Sequence, residues 1–308
     1  MYGPLWVCYL DAFWHYVHVL NTPSTRYDAS VFNAVQGSDN WNAYFNNPGP
    51  YIIGVINTVY TCGAIFAGFF LGGPVADYFG RRTGIMSGAA FVIVATFMQA
   101  WAPRGNLGCF LAGRVLVGIG QGLALTAGSI YIGELAPPDI RGKIMTFWQM
   151  FYSVGSFIAY WINFACGQHV NKLSEWDWKI VVIFQLLMPV LIIAQGVFIP
   201  ETPRWYLSKG KIDGARNSLQ RVRNSDQEVE DELLMIREAI EYEKEAISSN
   251  YSALWKDKSV RKRLMLAFII NAGQQITGQG SLNSYSTIIY QEVFTSDSTI
   301  SEWPPSIT

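Results

Sequence analysis

Arg114 is the one charge inside the apolar run Gly108–Ile132. A lone charge at the centre of a membrane-crossing helix costs about 2.5–3.5 kcal/mol on insertion scales, so it must face a cavity or a partner. Two chemistries fit. Arg114 can donate to backbone carbonyls between helices, or it can pair with an intramembrane carboxylate and relay a proton or ion. Asp28 is the candidate carboxylate on the N-terminal side. Amides come next. Gln149 sits inside the run Ile144–Cys166, and Asn271, Gln274, Gln275 and Gln279 stand together in Leu264–Ile289. Asn271, Gln275 and Gln279 recur at four-residue steps and so line one side of a helix. Lipid cannot satisfy an amide, so that side faces a water-filled cavity or another helix. Amides both donate and accept, which matches a neutral polyhydroxylated ligand. Trp148, Tyr152, Tyr160 and Trp161 could stack on the apolar faces of such a ligand, or pack at the lipid interface.

The elements that carry these residues are long and apolar. The chain has 308 residues, 50% of them hydrophobic and 15% charged; a soluble domain carries about 25% charged residues. A spanning helix needs roughly 20 mostly apolar residues. Tyr51–Ala76, Gly84–Trp101, Gly108–Ile132, Ile144–Cys166, Ile180–Ile199 and Leu264–Ile289 meet that requirement. Leu5–Leu20 is apolar but interrupted by Asp11, His15 and His18. Arg81 and Arg82 lie in a short loop and, with Arg141, Lys143 and the basic residues of 200–263, mark the cytosolic side. The segment 200–263 reads as the one soluble piece. Within it, Val229, Leu233, Ile236 and Ile240 form one apolar stripe on a charged helix over Asp226–Ala246.

Several function classes fall away. The formal net charge of -1 excludes the broad basic field of a nucleic-acid binder. Cys8, Cys62, Cys109 and Cys166 are scattered, and His15 with His18 lacks a third ligand, so no metal site and no cofactor is expected. Gly118, Gly120 and Gly122 lie within an apolar run, where small residues let helices approach closely, and the strand-turn-helix setting of a nucleotide loop is missing. No hydrolytic motif is present, so the chain does not read as an enzyme.

Five motifs resemble those of the sugar porters of the major facilitator superfamily. Gly73-Pro-Val-Ala-Asp77-Tyr-Phe-Gly80-Arg81-Arg82 is similar to the G-x-x-x-D-x-x-G-R-R signature. Gly113-Arg114 with Gly118 and Gly120 resembles the fourth-span motif, and Glu134-Leu-Ala-Pro with Arg141-Gly142 the loop that follows. Pro200-Glu201-Thr-Pro203-Arg204-Trp205 resembles the P-E-S-P-R-W motif after the sixth span. Gln274-Gln275-Ile-Thr-Gly278 resembles the opening of the seventh. The runs Tyr27–Asn33 and Gly278–Tyr285 look like fungal sugar-proton symporters of the lactose-permease-like group.

The resemblance implies an all-α membrane protein with a six-helix N-terminal bundle, a cytosolic helical segment and a seventh span, most of the second bundle being absent. It implies a sugar site between bundles that rock to alternate access. By match to the family, Gln149, Gln274 and Gln275 bind sugar hydroxyls, with Asn271 and Asn283 beside them. Asp28 and Arg114 couple protons. Asp77, Arg81, Arg82, Glu134, Arg141, Glu201 and Arg204 form a cytosolic gating network of exchangeable ion pairs. Gly280 stands where most sugar porters carry an asparagine, which suits a roomier site and a disaccharide such as lactose as well as a hexose. Pro23 and Arg26 interrupt a continuous first span through Asp28.

The expected organisation is an atypical N-terminus with a remnant of the first span (1–50), spans two to six (51–199), a cytosolic linker (200–263), the seventh span (264–293) and an atypical end (294–308). The expected partners are a sugar, protons and the lipid bilayer, with a monomer in the plasma membrane. Two other readings are a fragment that does not transport by itself, because one bundle lacks half of the site, and a sugar sensor.

Overall fold

The computed structural model of the chain describes residues 27, 30–33, 35–137, 141–167, 174–223, 225–246 and 258–278, with 280, 282, 284, 285 and 289 beyond them. It divides into two compact units, Met1–Glu201 with Ser284–Thr308, and Thr202–Asn283. The fold is that of an all-α membrane protein. Among the described residues four helical stretches are long and apolar enough to cross a membrane: Pro50–Phe79, Arg81–Ala100, Leu107–Leu135 and Trp176–Gly196.

In the first unit the short helix α1 (Asp39–Tyr44) precedes α2 (Pro50–Phe66). α2 runs through a widened turn, Ala67–Gly72, into α3 (Gly73–Phe79). Then come α4 (Arg81–Ala100), α5 (Leu107–Leu135), α6 (Arg141–Gly167), α7 (Trp176–Phe184) and α8 (Leu187–Gly196). α6 carries the apolar stretch Val154–Cys166 of the expected fifth span. The charged residues that bound the apolar runs belong to the helices: α4 begins at Arg81 and α6 at Arg141, because a helix extends past the hydrocarbon into the headgroup region.

α5 is the central helix and packs against both α2 and α4. Its glycines allow this. A Cβ at Gly118 would strike the Tyr60 carbonyl, and one at Gly122 the Ala64 carbonyl. Gly88 and Gly120 face each other, each Cβ position 2.6 Å from the other's carbonyl oxygen. Lipid tails are as apolar as leucine, so the helices gain by close backbone approach rather than by the hydrophobic effect.

The widened turn keeps α2 on α5. Ile56, Gly63, Ala67, Gly72 and Ala76 are the buried positions, and the one five-residue step, Ala67 to Gly72, coincides with the turn. A wide turn adds a residue without changing the face presented. Gly72 then sits on Thr126, whose side-chain atoms lie 2.7–2.8 Å from its Cβ position.

The run Ile180–Ile199 is not one continuous helix. It is broken between α7 and α8 at Gln185–Leu186. Pro189 explains the break, because a proline ring clashes with the carbonyl four residues earlier, here that of Gln185. An aromatic core closes one end of the unit. Phe32, Trp41, Phe45, Phe110 and Trp178 are each at most 4% exposed, with rings 5.3–6.1 Å apart. Outward apolar side chains such as Phe69, Phe157 and Phe198 are the lipid-facing surface expected of a bundle in a bilayer.

The second unit holds α9 (Pro203–Ser208), α10 (Ile212–Gln220), α11 (Asp226–Ala246) and α12 (Lys258–Ile276). Ala215, Leu219, Val229 and Leu233 form its small core, with Tyr206 and Leu207 against them. Along the stripe of α11, Ile236 and Ile240 are only partly buried. α12 is the described part of the expected seventh span.

Candidate functional site

Ser30, Asn33 and Gln36 recur at three-residue steps, Ser30 and Asn33 helical and Gln36 in a turn, and put polar groups along one side. All three are buried. They meet α6: Ser30 Oγ donates to Ser156 Oγ at 3.2 Å, and Asn33 Nδ2 donates to Tyr160 Oη at 3.0 Å. Gln36 Nε2 donates to Asn33 Oδ1 at 2.7 Å and to the Ser284 carbonyl at 3.0 Å. Gln36 Oε1 is buried and accepts from no described group. The result is a seam of hydroxyls and amides within the bundle, able to donate and to accept. Tyr27 Oη fixes the same stretch to the other neighbour by donating to the Val181 carbonyl at 2.9 Å.

Gln149 belongs to α6, seven residues before Ser156; its side chain lies outside the described residues. Asn271, Gln274 and Gln275 lie on α12 in the second unit and are exposed. Asn271 Nδ2 donates to the Ala267 carbonyl at 2.8 Å. A Cβ on Gly280 would stand 3.3 Å from Gln275 Oε1, so an asparagine there would press on that amide. Asn283 and Gln279 lie outside the described residues. Gln274 and Gln275 thus share one helix, while Gln149 belongs to the other unit.

Arg114 is 1% exposed within α5. Its guanidinium stacks over the Tyr60 ring at 4.6 Å and the Phe32 ring at 5.3 Å. Aromatic faces are negative at their centres and so stabilise a buried cation where water is excluded. Asp28, its expected partner, lies outside the described residues.

Five members of the expected cytosolic network come together at one end. Arg81 Nη2 is 3.1 Å from Asp77 Oδ1 and 3.1 Å from Glu134 Oε1. Glu201 receives backbone donors: its Oε1 accepts the Arg81 N–H at 2.9 Å, and its Oε2 accepts the Arg82 N–H at 3.1 Å. It therefore caps the positive end of α4, whose first N–H groups have no partner within the helix. Arg82 Nη2 donates to the Val197 carbonyl at 3.0 Å. Arg141 Nη2 donates to the Ala136 carbonyl at 3.2 Å, and Arg204 belongs to the second unit.

The opposite end carries a buried carboxylate that the sequence reading did not single out. Asp177, 4% exposed, accepts from Ser38 Oγ at 2.7 Å, Asn40 Nδ2 at 3.1 Å and its neighbour's Trp178 N–H at 2.7 Å. It ties α1 to the start of α7. Arg104 and Lys179 both pair with Glu175 and both lie over the Tyr44 ring.

Residues 12–303 match the family model described as "Sugar (and other) transporter". A probable quinate permease of Neosartorya fischeri is 31% identical over 249 residues, covering 77% of this chain and 45% of that protein. The quinate permease of Emericella nidulans is 30% identical over 247 residues, covering 77% and 46%. The chain spans about half the length of the curated relatives it matches. Among solved structures, the E. coli xylose transporter XylE in a partially occluded inward-open conformation gives a TM-score of 0.75 at 22% identity, covering 91% of this chain and 64% of that one. XylE bound to 6-bromo-6-deoxy-D-glucose, described as a proton:xylose symporter, gives 0.67 at 24% identity, covering 75% and 53%. At these identities the likeness is one of fold.

Proposed function

Because the chain belongs to the sugar (and other) transporter family, we propose that it supplies the N-terminal bundle and seventh helix of a proton-coupled carrier that moves a polyhydroxylated solute by alternating access. The seam Ser30–Ser156, Asn33–Tyr160 and Gln36–Asn33 carries this reading, because hydroxyls and amides held inside the bundle suit a ligand made of hydroxyl groups. Gln149 lies two helical turns from Ser156 and is the first substrate-binding candidate on α6. Gln274, Gln275, Asn271 and Asn283 supply the seventh-helix side. Asp28 and Arg114 couple the proton, and the Asp77, Arg81, Arg82, Glu134, Arg141, Glu201 and Arg204 group gates the cytosolic face. The solute is a hexose or a disaccharide such as lactose. The relatives named quinate permeases favour a second reading, a hydroxylated carboxylic acid. The carrier works in the plasma membrane.

Uptake in transporter-null cells tests this. Labelled glucose, lactose, xylose and quinate are offered to cells expressing the chain alone, or with the C-terminal six-helix half of one of the matched permeases. Uptake is expected only with both halves, and Gln149→Ala together with a proton-gradient uncoupler should each abolish it. Uptake that survives the uncoupler removes proton coupling. Uptake that survives Gln149→Ala removes that residue from the site.

A further inference from the structure

The start of α12 is strongly basic. Lys258, Arg261, Lys262 and Arg263 fall within its first two turns, and all four are exposed. Lys258, Arg261 and Lys262, at three- and four-residue spacing, share a face. The first turn of α12 has no acidic residue, so the positive end of the helix dipole adds to these cations instead of offsetting them. No described carboxylate pairs with any of the four. The acidic helix of the same unit, α11, has Glu230, Glu232 and Glu241 engaged with Arg216, Arg223 and Arg237.

Immediately after the basic face the helix turns apolar on every side. Leu264, Met265, Leu266, Phe268, Ile269 and Ile270 are each at least 47% exposed. A helix that passes from cations to all-round apolar surface over one residue matches the boundary between lipid headgroups and hydrocarbon. Long basic side chains at that level extend toward the phosphates.

We propose that Lys258, Arg261, Lys262 and Arg263 form an electrostatic docking surface for anionic phospholipid headgroups in the leaflet that α12 enters. The occupant is the phosphate of a membrane lipid, held by charge complementarity and by continuity with the apolar helix beneath it. This surface does not depend on which solute is carried.

The test reconstitutes the full chain in phosphatidylcholine bilayers carrying spin-labelled phosphatidylserine or spin-labelled phosphatidylcholine. Phosphatidylserine should be retained at the protein surface over phosphatidylcholine by about five-fold or more, the value of one lysine or arginine at an anionic surface. The fourfold variant K258Q/R261Q/K262Q/R263Q should lose the preference, and the charge-conserving variant R261K/R263K should keep it. If the fourfold variant does not insert, the pair K258Q/K262Q carries the test through a reduced preference. Equal retention of the two lipids by the unaltered chain overturns the proposal, as does unchanged preference in the neutralised variants. Loss of the preference in millimolar inorganic phosphate marks a soluble-anion site and also overturns it.

Discussion

Gly80 and Glu201 occupy one another's space. Gly80 has φ +103°, and a Cβ built on it would collide with the Glu201 carboxylate. The glycine lets the chain turn sharply from α3 into α4 while the carboxylate reaches the exposed N–H groups of Arg81 and Arg82. Gly80→Ala adds both backbone strain and a clash. It should lower stability by about 1–3 kcal/mol, read as thermal unfolding in detergent. In the double variant with Glu201→Ala the clash is relieved, so the two losses should sum to more than the double variant shows.

Glu201 itself acts through backbone hydrogen bonds and charge. Glu201→Gln keeps an acceptor but loses the negative charge at the helix start, and should destabilise by about 0.3–1 kcal/mol. Glu201→Ala removes both and should cost about 1–3 kcal/mol. Equal losses from the two variants, measured in the same unfolding assay, would show that the charge alone matters.

The glycines of α5 are a second target. Gly118→Ala and Gly122→Ala each place a methyl on the backbone of α2, and overpacking of this kind costs about 1–3 kcal/mol. Gly142→Ala meets nothing within 4 Å and lies in α6, so it should be neutral or stabilising by about 1 kcal/mol. Size-exclusion profiles and unfolding temperatures compare the three directly.

Asn33 and Tyr160 can be tested as a pair. Tyr160→Phe removes one hydrogen-bond acceptor from the Asn33 amide, a loss of about 0.5–1.5 kcal/mol. A double-mutant cycle with Asn33→Ala should return a coupling of about 0.5–1.5 kcal/mol. Zero coupling would mean that the 3.0 Å contact contributes nothing to the fold.

Arg114→Lys keeps the charge but loses the flat guanidinium that stacks on Tyr60 and Phe32. It should destabilise by about 0.5–2 kcal/mol, and Tyr60→Leu should do so by a similar amount. If Arg114→Lys is neutral in unfolding, the rings contribute nothing specific to a guanidinium.

Much of this fold is written in the apolar runs, because a bilayer accepts only helices with internally satisfied backbones. The charged residues at the helix ends were legible for the same reason. The roles of particular groups were less so. The match at Pro200-Glu201 marks an acid, but its partners are N–H groups of Arg81 and Arg82, and backbone donors carry no letter in a sequence. The Ser30, Asn33, Gln36 spacing is readable as a helical stripe, but neutral polar residues at that spacing fit a solvated face as well as a buried one. The break at Gln185 was also readable, in Pro189, but a continuous apolar run hides a two-residue joint. The wide turn at Ala67–Gly72 could not be read at all, since only the positions of Gly63, Gly72 and their neighbours on α5 reveal the extra residue.

That extra residue gives the second span one place where it can lose length without losing phase. Each residue removed from a helix turns all that follows by about 100°. Deleting one residue between Ala67 and Gly72 would instead let the turn relax to an ordinary helix, with Gly72 four residues after Ala67 and still on Thr126. A single deletion between Ile56 and Gly63 has no wide turn to absorb it and would put the charged end of the bundle out of phase with its apolar core.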